Sequence, residues 1–370
     1  MKLLEQVAVA AALREGAEGI RNILAAVAHN KNISLKELAN TVHMPLPVVA
    51  AVRRELERRY ILYRDKGICL TLKGIRLVSD LGIQKTSGPE QNLLSILKEI
   101  GSKRPEANVA LDQAYARPET SFRRATYASQ HDALSGRNVI ILGDDDLTSI
   151  AIALLLKKEE KPKRLVVVDI DSRIIDLINE ASETYDLNIE CHLHDLRISL
   201  PTELKYNFQT FFTDPPYTLA GLELFLTRAS ATLEGGSGKQ GFLSFGNKDP
   251  DTDHGVFHII SQCGFIPQEI IKNFNNYHGG TVIGNISRMI RMLSGTQRAH
   301  LSSSFNNAIY TADTNPSQRS YNCSICGKNH RVGNNCLYSH IEALKKIGCS
   351  NCGNNIFNSA GKILEEKNGE

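Results

Sequence analysis

Three consecutive acidic residues stand between an apolar strand-like run at 138–143 and an apolar run at 147–156. If the sheet is open and α/β, this turn lies at the carboxyl end of its first strand, where nucleotide-type ligands bind. A phosphate-binding turn carries glycines there, because free N–H groups and the positive end of a helix dipole favour anions. Asp144, Asp145 and Asp146 reverse that preference and predict a cationic ligand, such as a sulfonium or a polyamine. The alternative is that one of them caps the helix and the others are solvated.

Acids also follow the next two predicted strands. Asp169 ends the second strand, where a carboxylate accepts the two hydroxyl groups of a ribose. Asp195 follows the third strand, where it can accept the amino group of an adenine. Either residue alone is more often a helix cap. Together, and in register, the two acids predict an adenosyl site.

The fourth predicted strand ends in Asp214-Pro215-Pro216-Tyr217. Two prolines remove two backbone N–H groups and fix the chain, so carbonyl groups and the Asp214 carboxylate can converge on an amine while Tyr217 packs beside it. The same tetrad, with Asp or Asn first, is the signature of amino-group methyltransferases that use S-adenosylmethionine. The alternative is a Pro-Pro turn that leads into the following helix.

The elements that position these residues alternate regularly after Asn138. Such a rhythm predicts an α/β fold with a Rossmann-like, doubly wound sheet of the methyltransferase type, closed at its edge by an antiparallel final pair. The predicted strands are 139–142, 164–168, 189–192, 208–213, 241–245, 269–271 and 281–293, and the predicted helices are 147–158, 172–184, 219–232 and 253–262.

An N-terminal winged helix-turn-helix is predicted from two helical segments at 34–40 and 48–60 and two short strands within 61–72. Ser34 and Glu37 form a capping-box pattern at the first of these helices. Four arginines on the second helix suit phosphate contacts. The alternative is a packing or homodimerisation module whose arginines pair with neighbouring glutamates. The residues concerned are Arg53, Arg54, Arg58 and Arg59, with Glu55 and Glu57.

Five of the eight cysteines fall in the last 50 residues, which favours a metal site over disulfides in an intracellular chain. Cys323 and Cys326 form one Cys-x-x-Cys pair, and Cys349 and Cys352 form a second pair 22 residues later. This spacing predicts a zinc-ribbon-like tail with a structural zinc ion. Cys336, His330 and His340 are alternative ligands.

The whole chain has 370 residues, 42% of them hydrophobic, and a net charge of +3. That charge is too small to argue for nucleic-acid binding by the chain as a whole. No apolar run reaches 18 residues, so we expect a cytoplasmic protein without a membrane span. The predicted divisions are a winged-helix domain at 1–85, a linker and substrate-site segment at 86–137, the catalytic domain at 138–300, a flexible linker at 301–320 and the zinc-ribbon-like domain at 321–370.

Taken together, these motifs resemble the branched-chain polyamine synthases, or N4-bis(aminopropyl)spermidine synthases, over roughly residues 30–300. The resemblance implies transfer of aminopropyl groups from decarboxylated S-adenosylmethionine to the secondary amine of spermidine, with release of methylthioadenosine. A second transfer would leave a quaternary ammonium. The cysteine-rich tail departs from the family pattern, which ends soon after the sheet. The segments that carry the resemblance are 111–113, 117–120, 123–124, 143–149 and 214–218.

The acidic turn fits this chemistry, because the donor has lost its carboxylate and both substrates carry positive charge. The amine must also lose a proton before it attacks, and a nearby carboxylate can accept it. We predict Asp146 as the base, with Asp214 orienting the amine or sharing the task. The predicted binding residues are Asp144 and Asp145 for cationic groups, Asp169 for the ribose, Asp195 for the adenine, and Gly143, Pro215 and Tyr217 around them.

Two other functions stay open at this point. One is an S-adenosylmethionine-dependent amino-methyltransferase that acts on nucleic acid, with the winged helix and the zinc ribbon as binding modules. The three carboxylates argue against it, because they would repel phosphodiesters and the donor's own carboxylate. The other is a polyamine-sensing regulator that binds DNA through the winged helix.

Overall fold

A computed structural model describes residues 2–30, 32–42, 44–83, 91–156, 161–278, 286–296, 304–310, 319–333, 336–338 and 341–362. The chain divides into two compact units. The first unit comprises residues 1–107, 113–215 and 222–306, and the second comprises residues 108–112, 216–221 and 307–370. Residues 157–158 of a predicted helix, residues 281–285 of the last predicted strand and His340 lie outside the described residues.

The first unit begins with helices around a small hairpin. Its capping box is confirmed, since the Ser34 hydroxyl accepts from the Glu37 N–H and the Glu37 carboxylate accepts from the Ser34 N–H. The pairing of arginines with glutamates is confirmed as well, because Arg58 and Arg59 both contact Glu55. The elements are α1 (Lys2–Ala10), α2 (Gly16–His29), α3 (Leu35–Thr41), α4 (Leu46–Arg58), β1 (Leu62–Arg64), β2 (Ile68–Leu70), antiparallel to β1, and α5 (Leu72–Asp80).

Buried charges join α2 to the sheet that follows. Arg21 donates to both oxygens of Asp132, at 2.6 and 3.1 Å. Arg137 donates to Glu18 at 2.8 Å, and a buried lysine bridges Glu18 to another glutamate. We call this group of three acids and three bases the α2 cluster. Its members are Glu18, Arg21, Asp132, Arg137, Glu234 and Lys239.

A helix that the sequence analysis did not predict follows α6 (Gln91–Ser102) and a short 3-10 turn at Val109–Leu111. This helix, α7 (Pro118–Gln130), begins at a proline, which is favourable at the first helical position because it lacks only an N–H that would be unpaired there. Its buried face includes Arg124, an arginine at a position that the helix turns toward the core. α7 therefore brings a cation to the sheet.

The predicted α/β sheet is confirmed. Within the described residues it has seven strands in the order β5-β4-β3-β6-β7-β9-β8, and β9 runs antiparallel to both of its neighbours, as expected for the final pair. The strands are β3 (Asn138–Leu142), β4 (Arg164–Asp169), β5 (Glu190–Leu193), β6 (Thr210–Thr213), β7 (Gln240–Phe245), β8 (Phe265–Asn276) and β9 (Ile286–Ser294). The helices are α8 (Thr148–Leu155), α9 (Ser172–Tyr185), α10 (Leu219–Thr232) and α11 (Pro250–Gln262).

This strand order fixes where a ligand can enter. The chain proceeds outward from β3 to β4 and β5, then returns to place β6 on the other side of β3. Such a reversal opens a crevice at the carboxyl ends of the strands. The turns after β3, β4 and β6 therefore meet there, and these are the turns that carry the acids.

The second unit contains the cysteine-rich tail. Its sheet has the order β11-β10-β12, with both pairs antiparallel, over a small core that includes Val332, Tyr338 and Leu344. Thr218 donates to the carbonyl oxygen of Ile309 at 2.6 Å. Ile309 is buried, although the sequence analysis placed it in a flexible linker. The elements are β10 (Arg319–Cys323), β11 (Asn329–Val332), α12 (Ile341–Ile347) and β12 (Phe357–Lys362).

Among the residues that the structure describes, no helix has the length and apolar character needed to cross a membrane.

Candidate active site

One arginine joins the two predicted catalytic aspartates. Arg124 Nη1 donates to Asp146 Oδ2 at 2.6 Å, and Arg124 Nη2 donates to Asp214 Oδ2 at 2.8 Å. Asp146 also accepts from the backbone N–H of Ala116 at 2.5 Å and is only 4% exposed. The two residues are thus brought together as predicted, but Asp146 is enclosed and already holds strong donors.

Asp214 has the more suitable environment for a base. It lines a small pocket together with Arg124, Gly143 and Thr148. Burial raises the pKa of Asp214 to about 7, against the lowering effect of the Arg124 charge and with a further increase from Asp146. A group whose pKa lies close to the working pH can both accept and release a proton, so this carboxylate is better suited to acid–base chemistry than one with a normal pKa.

Two of the predicted ligand-binding acids accept hydrogen bonds from the backbone. The Asp144 carboxylate accepts from the N–H groups of Thr148 and Ser149 at 2.7 and 3.1 Å and so caps α8. Asp169 accepts from the N–H groups of Asp144 and Asp171 at 2.8 and 2.9 Å. The capping alternative is therefore confirmed for Asp144. Burial raises the pKa of Asp144 to about 7.

Asp145 differs from its neighbours. Its backbone carbonyl accepts from Arg104 at 3.1 Å, but within the described part of the chain its carboxylate has no hydrogen-bond partner. Desolvation, followed by the charges of Asp146, Asp169 and Asp214, holds the pKa of Asp145 well above its usual value. Asp145 is half-buried among other acids, so a bound cation would stabilise its charged form.

Arg124 is also held from the end of the sheet. Its Nε donates to Asn275 Oδ1 at 2.8 Å, and the Tyr277 hydroxyl oxygen lies 2.7 Å from Asp214 Oδ2. Ser287 lies 2.8 Å from the Tyr277 hydroxyl and accepts from Asn275 at 2.9 Å. All of these residues except Asp214 are at most 4% exposed. The hydrogen bonds fix Arg124 and, through it, the two carboxylates.

The remaining predicted binding residues are Asp195, Gly143, Pro215 and Tyr217. Asp195 is held by Arg197, whose guanidinium lies 2.7 Å away; burial alone would raise the pKa of Asp195, but these contacts keep it below its usual value. Gly143 has φ of +76°, a left-handed conformation that favours glycine in this turn. Pro215 ends the first unit's part of the tetrad, whereas Tyr217 belongs to the second unit.

Sequence reasoning missed four residues of this network. No role was predicted for these residues, which are Arg124, Asn275, Tyr277 and Ser287, because they meet only in the folded sheet. Arg124 does lie in the segment 123–124 that carries the family resemblance. One signal was available for Arg124. It occupies the apolar face of a helix, together with Ser121 and Ala125, and a buried arginine requires an acidic partner.

The second unit holds a candidate metal centre. The sulfur atoms of Cys323, Cys326, Cys349 and Cys352 all lie within 4.8 Å of one another, as the paired spacing predicted. The backbone N–H of Cys326 lowers the pKa of Cys323, whereas, against the lowering effect of the Asn354 N–H, burial and the neighbouring sulfurs raise the pKa of Cys352. His330 Nε2 lies 3.2 Å from Cys349 Sγ. The four sulfurs are thus close enough together to bind one metal ion.

Comparisons with known proteins agree with this geometry. Residues 92–332 match the family described as branched-chain polyamine synthase A C-terminal domain. An uncharacterized protein of Methanocaldococcus jannaschii is 34% identical over 374 residues, which cover 96% of this chain and 92% of that protein. The N(4)-bis(aminopropyl)spermidine synthase of the same organism is 31% identical over 294 residues, which cover 75% of this chain and 82% of the synthase.

A solved structure is similar as well. It is the C9 mutein of the branched-chain polyamine synthase from Thermus thermophilus, in complex with N4-aminopropylspermidine and 5'-methylthioadenosine. The match has a TM-score of 0.54 and 27% sequence identity, and it covers 84% of this chain and 97% of that chain.

Proposed function

This chain belongs to the branched-chain polyamine synthase family, and on that premise we propose that it moves aminopropyl groups from decarboxylated S-adenosylmethionine to the secondary amine of spermidine or a related polyamine. The observation that carries the proposal is the excess of carboxylates in the crevice. Asp146 and Asp214 share one buried cation, Arg124. The charges of Asp146, Asp169 and Asp214 act on the Asp145 carboxylate, against the single opposing charge of Arg104 that acts on it among the described residues. Such a site favours substrates that bring positive charge.

The residues suggest how the reaction proceeds. The acceptor arrives as an ammonium ion and gives its proton to Asp214, so that its lone pair can attack the methylene carbon bonded to the donor's sulfur. The carbon–sulfur bond breaks with its electrons on sulfur, which leaves neutral methylthioadenosine. Asp145 holds a cationic group of either substrate. Arg124 keeps Asp146 and Asp214 in place, and positioning of this kind is a large part of catalysis in displacement reactions.

Asp214, and not Asp146 as expected from the sequence, is proposed as the base. Both oxygens of Asp146 already accept hydrogen bonds, from Ala116 and from Arg124. Asp214 lines the pocket and has a pKa of about 7. Asp169 and Asp195 are proposed to face the donor's ribose and adenine, although Asp169 reaches them only with lone pairs that its two backbone N–H groups leave open.

The decisive experiment supplies each adenosyl donor in turn, with spermidine, and analyses the products by mass and by fragmentation. Decarboxylated donor should add one and then two aminopropyl units at the central nitrogen. Linear spermine alone would indicate an ordinary aminopropyltransferase. Methyl transfer from intact S-adenosylmethionine, to spermidine or to an added oligonucleotide, would contradict the proposal and favour the methyltransferase alternative.

Two structural modules complete the proposal. Helices α3 and α4 and the hairpin β1–β2 are proposed to form a winged helix that packs or dimerises rather than binds DNA, because the arginines at the end of α4 contact Glu55. The four cysteines of the second unit are proposed to hold one zinc ion as a zinc-ribbon-like site. Four thiolates leave no open position, so this metal would supply folding energy rather than chemistry.

A further inference from the structure

The buried network at the end of β8 has a direction that can be worked out from its donors. Arginine has only N–H donors and cannot accept a hydrogen bond. Arg124 Nε donates to Asn275 Oδ1, and this contact fixes which end of the Asn275 amide is oxygen. The Asn275 Nδ2 group must then be the donor to Ser287 Oγ, 2.9 Å away.

The Tyr277 hydroxyl group links this network to the Asp214 carboxylate. Arg124 Nη2 donates to the Tyr277 oxygen at 3.1 Å, so the tyrosine accepts from that side. Its single hydrogen can point either to Asp214 Oδ2 at 2.7 Å or to Ser287 Oγ at 2.8 Å. If it points to Ser287, that oxygen receives two donors and its own hydrogen loses this acceptor. If it points to Asp214, Ser287 donates to Tyr277 and each contact has one donor and one acceptor.

We propose that Tyr277 is a positioning residue whose hydroxyl hydrogen is directed at Asp214 Oδ2 by Ser287, Asn275 and Arg124, so that Asp214 Oδ1 is the oxygen that takes the acceptor's proton. This inference rests on the proposed role of Asp214 as the base. In the step, the ammonium N–H bond breaks, its electron pair stays on nitrogen, and the proton forms an O–H bond at Oδ1. Oδ2 cannot take it, because two donors already occupy that oxygen.

Other charges face the same carboxyl group, and the test must separate them from Tyr277. Arg124 approaches from α7, Asp146 and Asp145 from the turn after β3. None of these groups is changed when the tyrosine loses its hydroxyl. Phenylalanine keeps the ring under the Arg124 guanidinium, which lies 6.0 Å from the ring centre. The Tyr277→Phe substitution therefore removes the donor to Asp214, together with the hydroxyl oxygen that accepts from Arg124 and contacts Ser287, and it leaves every charge in place.

The experiment measures the Asp214 pKa directly, by ¹³C NMR of labelled aspartate carboxyl groups, alongside the pH dependence of kcat/KM for spermidine. Asp214 is assigned by its absence in Asp214→Asn. In Tyr277→Phe the pKa should rise by about one unit, because the charged carboxylate loses a donor, and kcat/KM should fall about tenfold on the acid side of the profile. KM for the donor should not change. An unchanged pKa would overturn the proposal.

The Ser287→Ala variant tests the direction of the network. If Ser287 donates to Tyr277, its loss should leave the Asp214 pKa unchanged or slightly higher. If Tyr277 donates to Ser287, the alanine frees the tyrosine hydrogen for Asp214 and the pKa should fall, which would contradict the proposal. The matched control is Tyr127→Phe, which removes a tyrosine hydroxyl that donates to Glu269 in the same unit and should move neither readout.

The two readouts separate this inference from the proposed function. A pKa that rises in Tyr277→Phe, in a protein that transfers no aminopropyl group, would support the network and reject the function. Normal aminopropyl transfer with an Asp214 pKa insensitive to Tyr277 would do the reverse.

Discussion

The first unit contains two groups of charged residues, and acids and bases are balanced in one group but not in the other. In the α2 cluster three acids face three bases, and every acid has a basic partner within 3.1 Å. In the described part of the crevice, Asp146 and Asp214 share the buried Arg124, Asp145 has only the charge of Arg104 opposing those of its acidic neighbours, and burial raises the pKa of Asp214 to about 7. In the α2 cluster the opposite charges compensate one another without a ligand. In the crevice the surplus negative charge is compensated only when a cationic ligand binds, which distinguishes a functional site from a structural cluster.

The largest expected effect comes from neutralising the base. Asp214→Asn keeps the shape of the side chain but cannot take a proton, so kcat should fall by about 10²–10⁴-fold while the donor still binds. Steady-state kinetics with donor binding by calorimetry checks this. Asp146→Asn is the comparison variant. If it abolishes turnover while Asp214→Asn retains it, Asp146 is the base, as the sequence alone suggested.

The α2 cluster should respond in the opposite way. Asp132→Asn leaves the Arg21 guanidinium buried without its carboxylate, and breaking a buried pair in this way typically costs about 3–5 kcal/mol in the free energy of unfolding. Denaturant titration measures the loss. Molecules that remain folded should keep near-normal kcat. A variant as stable as the parent, or one that is stable but inactive, would remove the distinction between the two groups.

The pH dependence of stability should also differ between the crevice and the α2 cluster. Asp214 and Asp144 bind a proton more tightly when folded, because burial raises both pKa values to about 7. Without ligand, stability should therefore decrease as pH rises from about 4 to 7, by at most about 1.4 kcal/mol per pH unit for each group.

Glu18 has the opposite sign. Its burial is outweighed by Arg137 and Lys239, which lower its pKa, so it stabilises the fold above about pH 4 and the contribution is lost as pH falls further. Thermal unfolding between pH 3 and 8 should show that Asp214→Asn flattens the decline toward neutral pH. Glu18→Gln should instead flatten the loss in acid. Identical profiles for both variants would contradict this assignment.

How much could be predicted from the sequence depends on how far apart the interacting residues are along the chain. The acidic turn, the Asp-Pro-Pro-Tyr tetrad and the cysteine pairs are local patterns. The mostly parallel sheet with its antiparallel final pair follows from the alternation of strands and helices, but the order of its strands does not. Arg124 and Tyr277 contact each other although about 150 residues separate them in the sequence, so no local spacing predicts their contact. The role of Asp144 also depended on the fold, because only the start of α8 decides whether a carboxylate meets N–H groups or solvent.

The smallest expected effect on the sheet concerns the metal. If Cys323, Cys326, Cys349 and Cys352 hold one zinc ion, elemental analysis should find one per chain in freshly purified protein. Chelation should unfold the tail, because its described core has few members, Val332, Tyr338 and Leu344 among them. The sheet has its own large core, so its unfolding transition should not change.

Hydrogen exchange followed by mass spectrometry distinguishes the two regions after chelation. Amides of β10 to β12 should lose protection, while those of β3 and β6 should keep it. Cys352→Ser should reproduce the loss without a chelator, and Cys336→Ser is the matched control, since Cys336 lies outside the four-sulfur cluster. Protection lost equally from β3 and from β10 would show that the metal stabilises the whole chain. The charge balance of the α2 cluster would then not be sufficient to hold the sheet.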